Sequence, residues 1–203
     1  MLKRSIRGEA RIAAVVLAAG ASRRLGEPKQ LIEIEGESLV RRSARLAVEA
    51  GCGPVFVVLG FAAERMQAEL AGLAVDVVVN ADWAEGMGAS LRRGVRAAAA
   101  RPEVDGALAM VCDQPRLTAE HLGKLIQEHR EAGSAVTASG YGGGAGVPAV
   151  FARSLFGELL DLQGDRGARG VIEAHAEETH TIAWPEGEID IDWPEQVRAQ
   201  KGG

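Results

Sequence analysis

Gly20, Ser22, Arg23, Arg24, Gly26 and Lys29 crowd into one short stretch of the chain, VVLAAGASRRLGEPKQL at 15–31. Glycine reaches backbone conformations closed to other residues, so successive N–H groups there can turn into one concavity that accepts an anion. Arg23, Arg24 and Lys29 add three cations against Glu27 alone. The chemistry that fits is capture of a phosphate chain; an ordinary surface loop with solvated basic side chains is the competing reading. Glu27 and Pro28 separate Gly26 from Lys29, so the stretch is not a Walker A loop, and it does not match the dinucleotide fingerprint G-x-G-x-x-G either.

Carboxylates form a second set. Magnesium needs hard oxygen ligands and takes only one or two from protein, leaving the other positions to phosphate and water. Asp113 follows the apolar run GALAMV and is the first candidate ligand; a turn aspartate ahead of Pro115 is the alternative. Asp192, in DIDWPE, is the second, with Asp190 two residues earlier and on the same side if the segment is a strand. Asp192 and Glu195 also resemble a helix-capping pair. A further basic, glycine-rich stretch, GDRGAR at 164–169, offers Arg166 and Arg169 as a clamp for a second phosphate, or simply a solvated loop. Cys112, with no histidine near it in sequence, reads as a small core residue and not a nucleophile.

These groups need a frame. Strand-like apolar runs recur at Ile12–Ala18, 55–60, 75–79, Gly106–Val111 and 135–138, and helical patterns lie between them. Leu39, Ser43, Leu46, Ala47 and Ala50 share one face; Leu91, Val95 and Ala98 repeat the spacing; Leu122, Leu125 and Ile126 follow Thr118, a candidate N-cap. Alternating strand and helix predicts an α/β fold with a mainly parallel sheet covered on both faces, in three layers. Such sheets bind ligands beyond the carboxyl ends of their strands, which is where the phosphate loop and Asp113 fall. SGYGGGAGVP at 139–148 interrupts the rhythm as a loop before an added strand or hairpin.

The totals limit the partners. A chain of 203 residues, 47% hydrophobic, is expected to form one domain, with a basic extension at 1–11 and a short tail at 200–203. Net charge of -5 and 4% aromatic residues argue against nucleic acid, and no run approaches the length of a membrane span. Two cysteines without C-x-x-C spacing point to a reducing cytoplasm, and four scattered histidines give no zinc pattern. The first 21 residues imitate a secretory leader, but their apolar run is equally a buried parallel strand, and the cytoplasmic reading is preferred.

LAAGASRRLGEPKQL resembles the signature of the nucleotidyltransferases related to the molybdenum cofactor guanylyl- and cytidylyltransferases. VVVNADWAEGMGASLRRGV, MVCDQPRLT, LLDLQGDRGARGVI and DIDWPEQV follow in that family's order and cover most of the chain. Ala19 in L-A-A-G makes it most similar to the cytidylyl branch, the molybdenum cofactor cytidylyltransferases. The resemblance implies a Rossmann-like sheet fold, Mg2+, and transfer of CMP from CTP to the phosphate of molybdopterin, with pyrophosphate released. It implies nucleotide contacts at Leu17, Ala18, Ala19, Gly20, Ser22, Arg23, Arg24, Gly26, Lys29, Asn80, Gly88, Ser90 and Asp113, with Lys29, Arg23 and Asp113 catalytic. Ser90 as a plain helix-start residue stays open. Acceptor contacts are implied at Gln114, Pro115, Gly146, Pro148, Gly164, Asp165, Arg166, Gly167 and Arg169, and metal contacts at Asp113 and Asp192. A recipient molybdoenzyme of the xanthine dehydrogenase type is the implied partner. Val147 stands where the family usually has histidine, which leaves another phosphorylated acceptor, such as a sugar or alcohol phosphate, as the alternative. A cofactor-handing chaperone is the alternative of another class.

Overall fold

The computed structural model describes residues 10–22 and 25–191, so Arg23, Arg24, Asp192, the tail and most of the amino-terminal extension lie outside it. In chain order the strands are β1 (Ile12–Ala18), β2 (Glu33–Ile34), β3 (Glu37–Ser38), β4 (Val55–Leu59), β5 (Asp76–Val79), β6 (Gly106–Val111), β7 (Val136–Tyr141), β8 (Gly144–Ala152) and β9 (Thr179–Ala183). The α-helices are α1 (Leu39–Glu49), α2 (Ala63–Glu69), α3 (Met87–Ala99), α4 (Ala119–Ala132), α5 (Phe156–Leu160) and α6 (Arg169–Ala174). Seven strands form one sheet in the order β5-β4-β1-β6-β8-β7-β9, and β2 pairs with β3 separately. Only β8 runs against its neighbours in the seven-stranded sheet.

The expected three layers follow from strand geometry. Successive residues of a strand face opposite sides. Ile12, Ala14, Val16 and Ala18 of β1 accordingly join the cluster under α1 and α4, while Ala13 and Val15 join the cluster under α3 and α5. A strand covered on both faces has no polar side, which is why β1 reads as an unbroken apolar run. The run that imitates a leader is thus an interior strand of the sheet, between β4 and β6. Thr118 caps α4 as its sequence suggests, its hydroxyl accepting from the His121 N–H at 3.2 Å.

At α3 the helix approaches the sheet closely. A Cβ on Gly94 would lie 2.3 Å from Val15 Cγ1 and 3.0 Å from Val58 Cγ2. Gly94→Ala is therefore expected to destabilise the protein by about 1–3 kcal/mol through overpacking, in spite of alanine's better helix propensity. A shift of the urea midpoint to lower denaturant checks it, and an unchanged or raised midpoint contradicts it.

The glycine-rich stretch at 139–148 is more ordered than a loop. Ser139 to Tyr141 belong to β7 and Gly144 to Pro148 to β8, so only Gly142 and Gly143 turn. Both have positive φ, 58° and 71°, as a two-residue hairpin turn requires, and glycine meets that requirement without strain. Asp190 does not meet the condition, a strand, under which it would share a side with Asp192. It follows the 3-10 turn Pro185–Glu188 in irregular chain and is not on a strand. No helix among the described residues is long and apolar enough to cross a membrane.

Candidate active site

β1 and β6 are neighbours, so the loops leaving their carboxyl ends meet. The first loop is held by its own polar groups. Ala19 C=O accepts from the Phe61 N–H at 3.0 Å, and Gly20 C=O accepts from Gln30 Nε2 at 2.8 Å. Ser22, with φ of 49°, accepts the Lys29 N–H on its hydroxyl at 3.0 Å, and its carbonyl accepts the Leu25 N–H at 2.9 Å. This folds the loop back so that Lys29, which opens the 3-10 turn Lys29–Leu31, lies across from the end of β6. There its ammonium pairs with the Asp113 carboxylate, both side chains about four-fifths buried.

Asp113 is fixed from behind. Its carbonyl accepts the Ile191 N–H at 2.9 Å, and Ile191 is buried with Ile32, Ile34 and Leu39 in a small satellite core. Arg42 of α1 donates to Pro115 C=O at 3.3 Å and Leu117 C=O at 3.2 Å, which steadies the same loop. A cavity of about 500 Å3 opens over the pair. Leu17, Ala19, Gly20, Ser22, Lys29 and Asp113 line it, together with Trp83, Met87, Ser90 and Asp165. Ala18 faces the core under α1 instead.

The segment after β5 shapes the same cavity. Asn80 is fully buried, and its amide donates to Ser90 Oγ at 3.1 Å while its Oδ1 accepts the Asp82 N–H at 3.1 Å. Asn80 thus braces Ser90, and Ser90 is the one of the two that lines the cavity. The Gly88 N–H, at the open end of α3, is used by Gly164 C=O at 3.0 Å and does not point to a ligand.

A second cavity, of about 330 Å3, adjoins the first across Leu17, Val111, Met87 and Asp165. Gly146, Val147, Gly167 and Arg169 line it. Arg169 and Tyr141 also border a third, more open cavity of about 600 Å3. Gln114 is buried and acts as a brace: its Nε2 donates to Val147 C=O at 3.2 Å and Gly187 C=O at 3.3 Å. Pro115 and Pro148 are buried behind the cavity, and Gly164 and Arg166 border other surface hollows. The expected acceptor residues are therefore split, with Gly146, Asp165, Gly167 and Arg169 on the second cavity and Gln114, Pro115, Pro148, Gly164 and Arg166 off it.

Behind that cavity, Ser139 Oγ donates to Pro148 C=O at 2.7 Å and contacts His121 Nε2 at 2.8 Å, and the His121 ring stacks on Trp184 at 4.7 Å. With its hydrogen committed to Pro148, Ser139 accepts from a neutral His121. Burial, and secondarily Lys124, push the His121 pKa down to about 4, against a smaller opposing pull from Glu186. The unfolded chain then binds a proton near its ordinary pKa of about 6.5 that the folded chain refuses, so this group's contribution is intact above that pH and is lost as pH falls toward 4. Replacing His121 by Gln should flatten the acid limb of a stability-against-pH profile between those limits, by about 3 kcal/mol. Parallel profiles would show that His121 is not the group responsible.

The Cys112 thiol is buried and its pKa is pushed up to about 12, chiefly by desolvation, so it is a core residue and not a nucleophile. Among the described residues no three histidine, cysteine, aspartate or glutamate side chains gather as a metal cage. Magnesium with a polyphosphate needs no such cage: one or two carboxylates suffice. Asp113 could supply one, and the Ile191 N–H to Asp113 C=O bond ties the chain just after Asp190 to the same loop, so the residues present fit the ion.

Sequence reasoning does not single out Gln30, Trp83, Met87 or Tyr141. Gln30, 1% exposed, holds the glycine loop after β1, and nothing in its local sequence separates it from a surface glutamine. Trp83 and Met87 sit inside a segment legible as nucleotide-facing, but which side chains face inward depends on the turn Trp83–Glu85.

The mostly parallel sheet, with Lys29 and Asp113 meeting beyond adjacent strand ends, has a fold used by nucleotidyltransferases. Residues 14–179 match the MobA-like NTP transferase domain, and the chain belongs to that family. It is similar to Rv0371c from Mycobacterium tuberculosis H37Rv, with TM-score 0.82 and 30% identity over 97% of this chain and 100% of that one. A structure of Rv0371c with manganese is also similar, with TM-score 0.75 and 28% identity over 95% of this chain and 98% of that one. A nucleotidyl transferase from Methanothermobacter gives TM-score 0.80 at 25% identity, covering 94% of this chain and 96% of that one. Among curated relatives, the purine catabolism protein PucB of Bacillus subtilis is 30% identical over 90% of this chain and 92% of its own length. Nicotine blue oxidoreductase of Paenarthrobacter nicotinovorans is 38% identical over 59% of this chain, and the match spans 57% of that protein. A probable molybdenum cofactor guanylyltransferase of Opitutus terrae is 33% identical over 62% of this chain and 59% of its own length.

Proposed function

We propose that this chain is a cytoplasmic, magnesium-dependent cytidylyltransferase that joins CMP from CTP to the phosphate of molybdopterin and releases pyrophosphate. The observation that carries the reading is the Lys29–Asp113 pair at the mouth of a cavity walled by the glycine loop. A magnesium triphosphate presents the complementary charges, anion for the ammonium and cation for the carboxylate. Asp113, with the Asp190 and Asp192 end of the chain, would hold Mg2+, which supplies charge stabilisation to the leaving pyrophosphate. The loop backbone, Lys29 and the arginines at 23 and 24 bind the triphosphate and set its α-phosphorus toward the second cavity. There the acceptor phosphate is already largely dianionic at neutral pH, so its oxygen can attack without a side-chain base. Ala19 on the cavity wall, as in the cytidylyl branch, supports CTP over GTP, and two free, buried cysteines fit a reducing compartment. A recipient molybdoenzyme of the xanthine dehydrogenase type would take the product.

A second reading is favoured by Val147. Its apolar side chain lines the acceptor cavity and its carbonyl is already used by Gln114 and Tyr141, so a smaller sugar or alcohol phosphate is an alternative acceptor. The test is pyrophosphate release with each of the four ribonucleoside triphosphates, with and without molybdopterin, in magnesium, manganese or chelator. Release with CTP, molybdopterin and a divalent ion together is expected. Release only with another phosphorylated acceptor gives the second reading, and nucleotide binding without any release points to a cofactor-handing chaperone.

A further inference from the structure

Met87 stands between the two cavities. Four residues are common to both, and of these Leu17 and Val111 are paired strand residues while Asp165 is charged, which leaves Met87 as the flexible apolar wall. It is 47% exposed, which is unusual for its size and polarity in this chain. Its neighbours have no side chains for a steric reason. The 163–166 loop lies so close that a Cβ on Gly86 would be 2.4 Å from Asp165 Oδ1, and one on Gly88 would be 2.9 Å from Gly164 C=O. The Met87 side chain therefore projects alone into the seam, where its Sδ would lie 2.8 Å from a Cβ built on Gly167. A methionine adapts its shape to whatever packs on it, and here it touches the loop of one cavity while walling the other.

We propose that Met87 is a positioning residue that partitions the two substrates and keeps water off the reacting phosphorus, a role that rests on the nucleotidyl-transfer reading above. Two reactions compete at the α-phosphorus. In transfer, an acceptor phosphate oxygen forms the new P–O bond as the bond to the β-phosphate bridge breaks. In hydrolysis, water forms that bond, its protons pass to solvent, and CMP and pyrophosphate leave. Closing an apolar side chain over the junction disfavours the second.

The experiment measures CMP and dinucleotide formed from CTP and molybdopterin by the wild type, Met87→Ala, Met87→Leu and Gly167→Ala. Met87→Ala should raise the ratio of CMP to dinucleotide roughly fivefold and raise the KM for the acceptor with little change in that for CTP. Met87→Leu, which restores apolar bulk, should recover most of the wild-type ratio. Gly167→Ala pushes on the thioether without replacing it and should move the ratio in the same direction, so the test stands even if Met87→Ala does not fold. A wild-type ratio in a folded Met87→Ala or Gly167→Ala variant overturns the proposal. A wild type that makes neither product overturns the transfer reading itself, which is a distinct result.

Discussion

Lys29→Ala should lower turnover by about 10²–10³, the usual cost of removing one preorganised group that meets developing charge on a transferring phosphoryl centre. Lys29 is suited to that task because its position is set twice. Its backbone N–H is anchored on Ser22 Oγ, and its ammonium is steered by Asp113. The substitution leaves the anchor in place, so the loop should keep its shape. Stability should fall by about 1–3 kcal/mol, between the ranges for exposed and fully buried ion pairs. Lys29→Arg should recover only part of the rate, since a planar fork cannot occupy the place of a compact ammonium. Pyrophosphate release at saturating substrate, beside a urea melt of each variant, separates the two effects. Near-normal turnover in folded Lys29→Ala would remove Lys29 from the mechanism.

Asp113→Asn is the second large expectation. The amide keeps the shape and drops the charge, so it should cost about 10²–10³ in rate by weakening the divalent ion that neutralises the phosphates. Its effect on binding should depend on the metal. In chelator, loss of a carboxylate removes repulsion from the triphosphate, so metal-free CTP should bind as well as to the wild type or better. In magnesium, the wild type should gain affinity and the variant should gain little. Calorimetry under both conditions gives the comparison, and an undiminished magnesium gain in Asp113→Asn would take Asp113 out of the metal site.

How far the sequence reached can be judged from single elements. β1 and β6 were legible to the residue, because an unbroken apolar run bounded by glycine or charge has few other uses. α2, α5 and α6 were not read at all, and each is only five to seven residues long, too short for a helical period to declare itself. The 139–148 stretch read as a loop because glycine is poor in strands by propensity. Sheet pairing with β8 overrode that preference, and the close packing of Tyr141 on Gly146, where a Cβ would meet the hydroxyl at 2.4 Å, gives a reason for glycine within the strand.

The same division runs through the site. Residue types that bind phosphate and magnesium, their order, and their places after strands β1 and β6 are local properties, written in composition, spacing and periodicity. The sequence by itself therefore determined the fold class and offered Lys29 as a phosphate-binding candidate and Asp113 as a magnesium-ligand candidate. Tertiary structure alone decided that these two, 84 residues apart, meet. It also decided that Gln30 turns inward, that the Gly88 N–H is spent on Gly164, and that Met87 stands between two cavities. Each of these depends on which distant backbone occupies the neighbouring space, and a one-dimensional pattern of polar and apolar residues does not specify that.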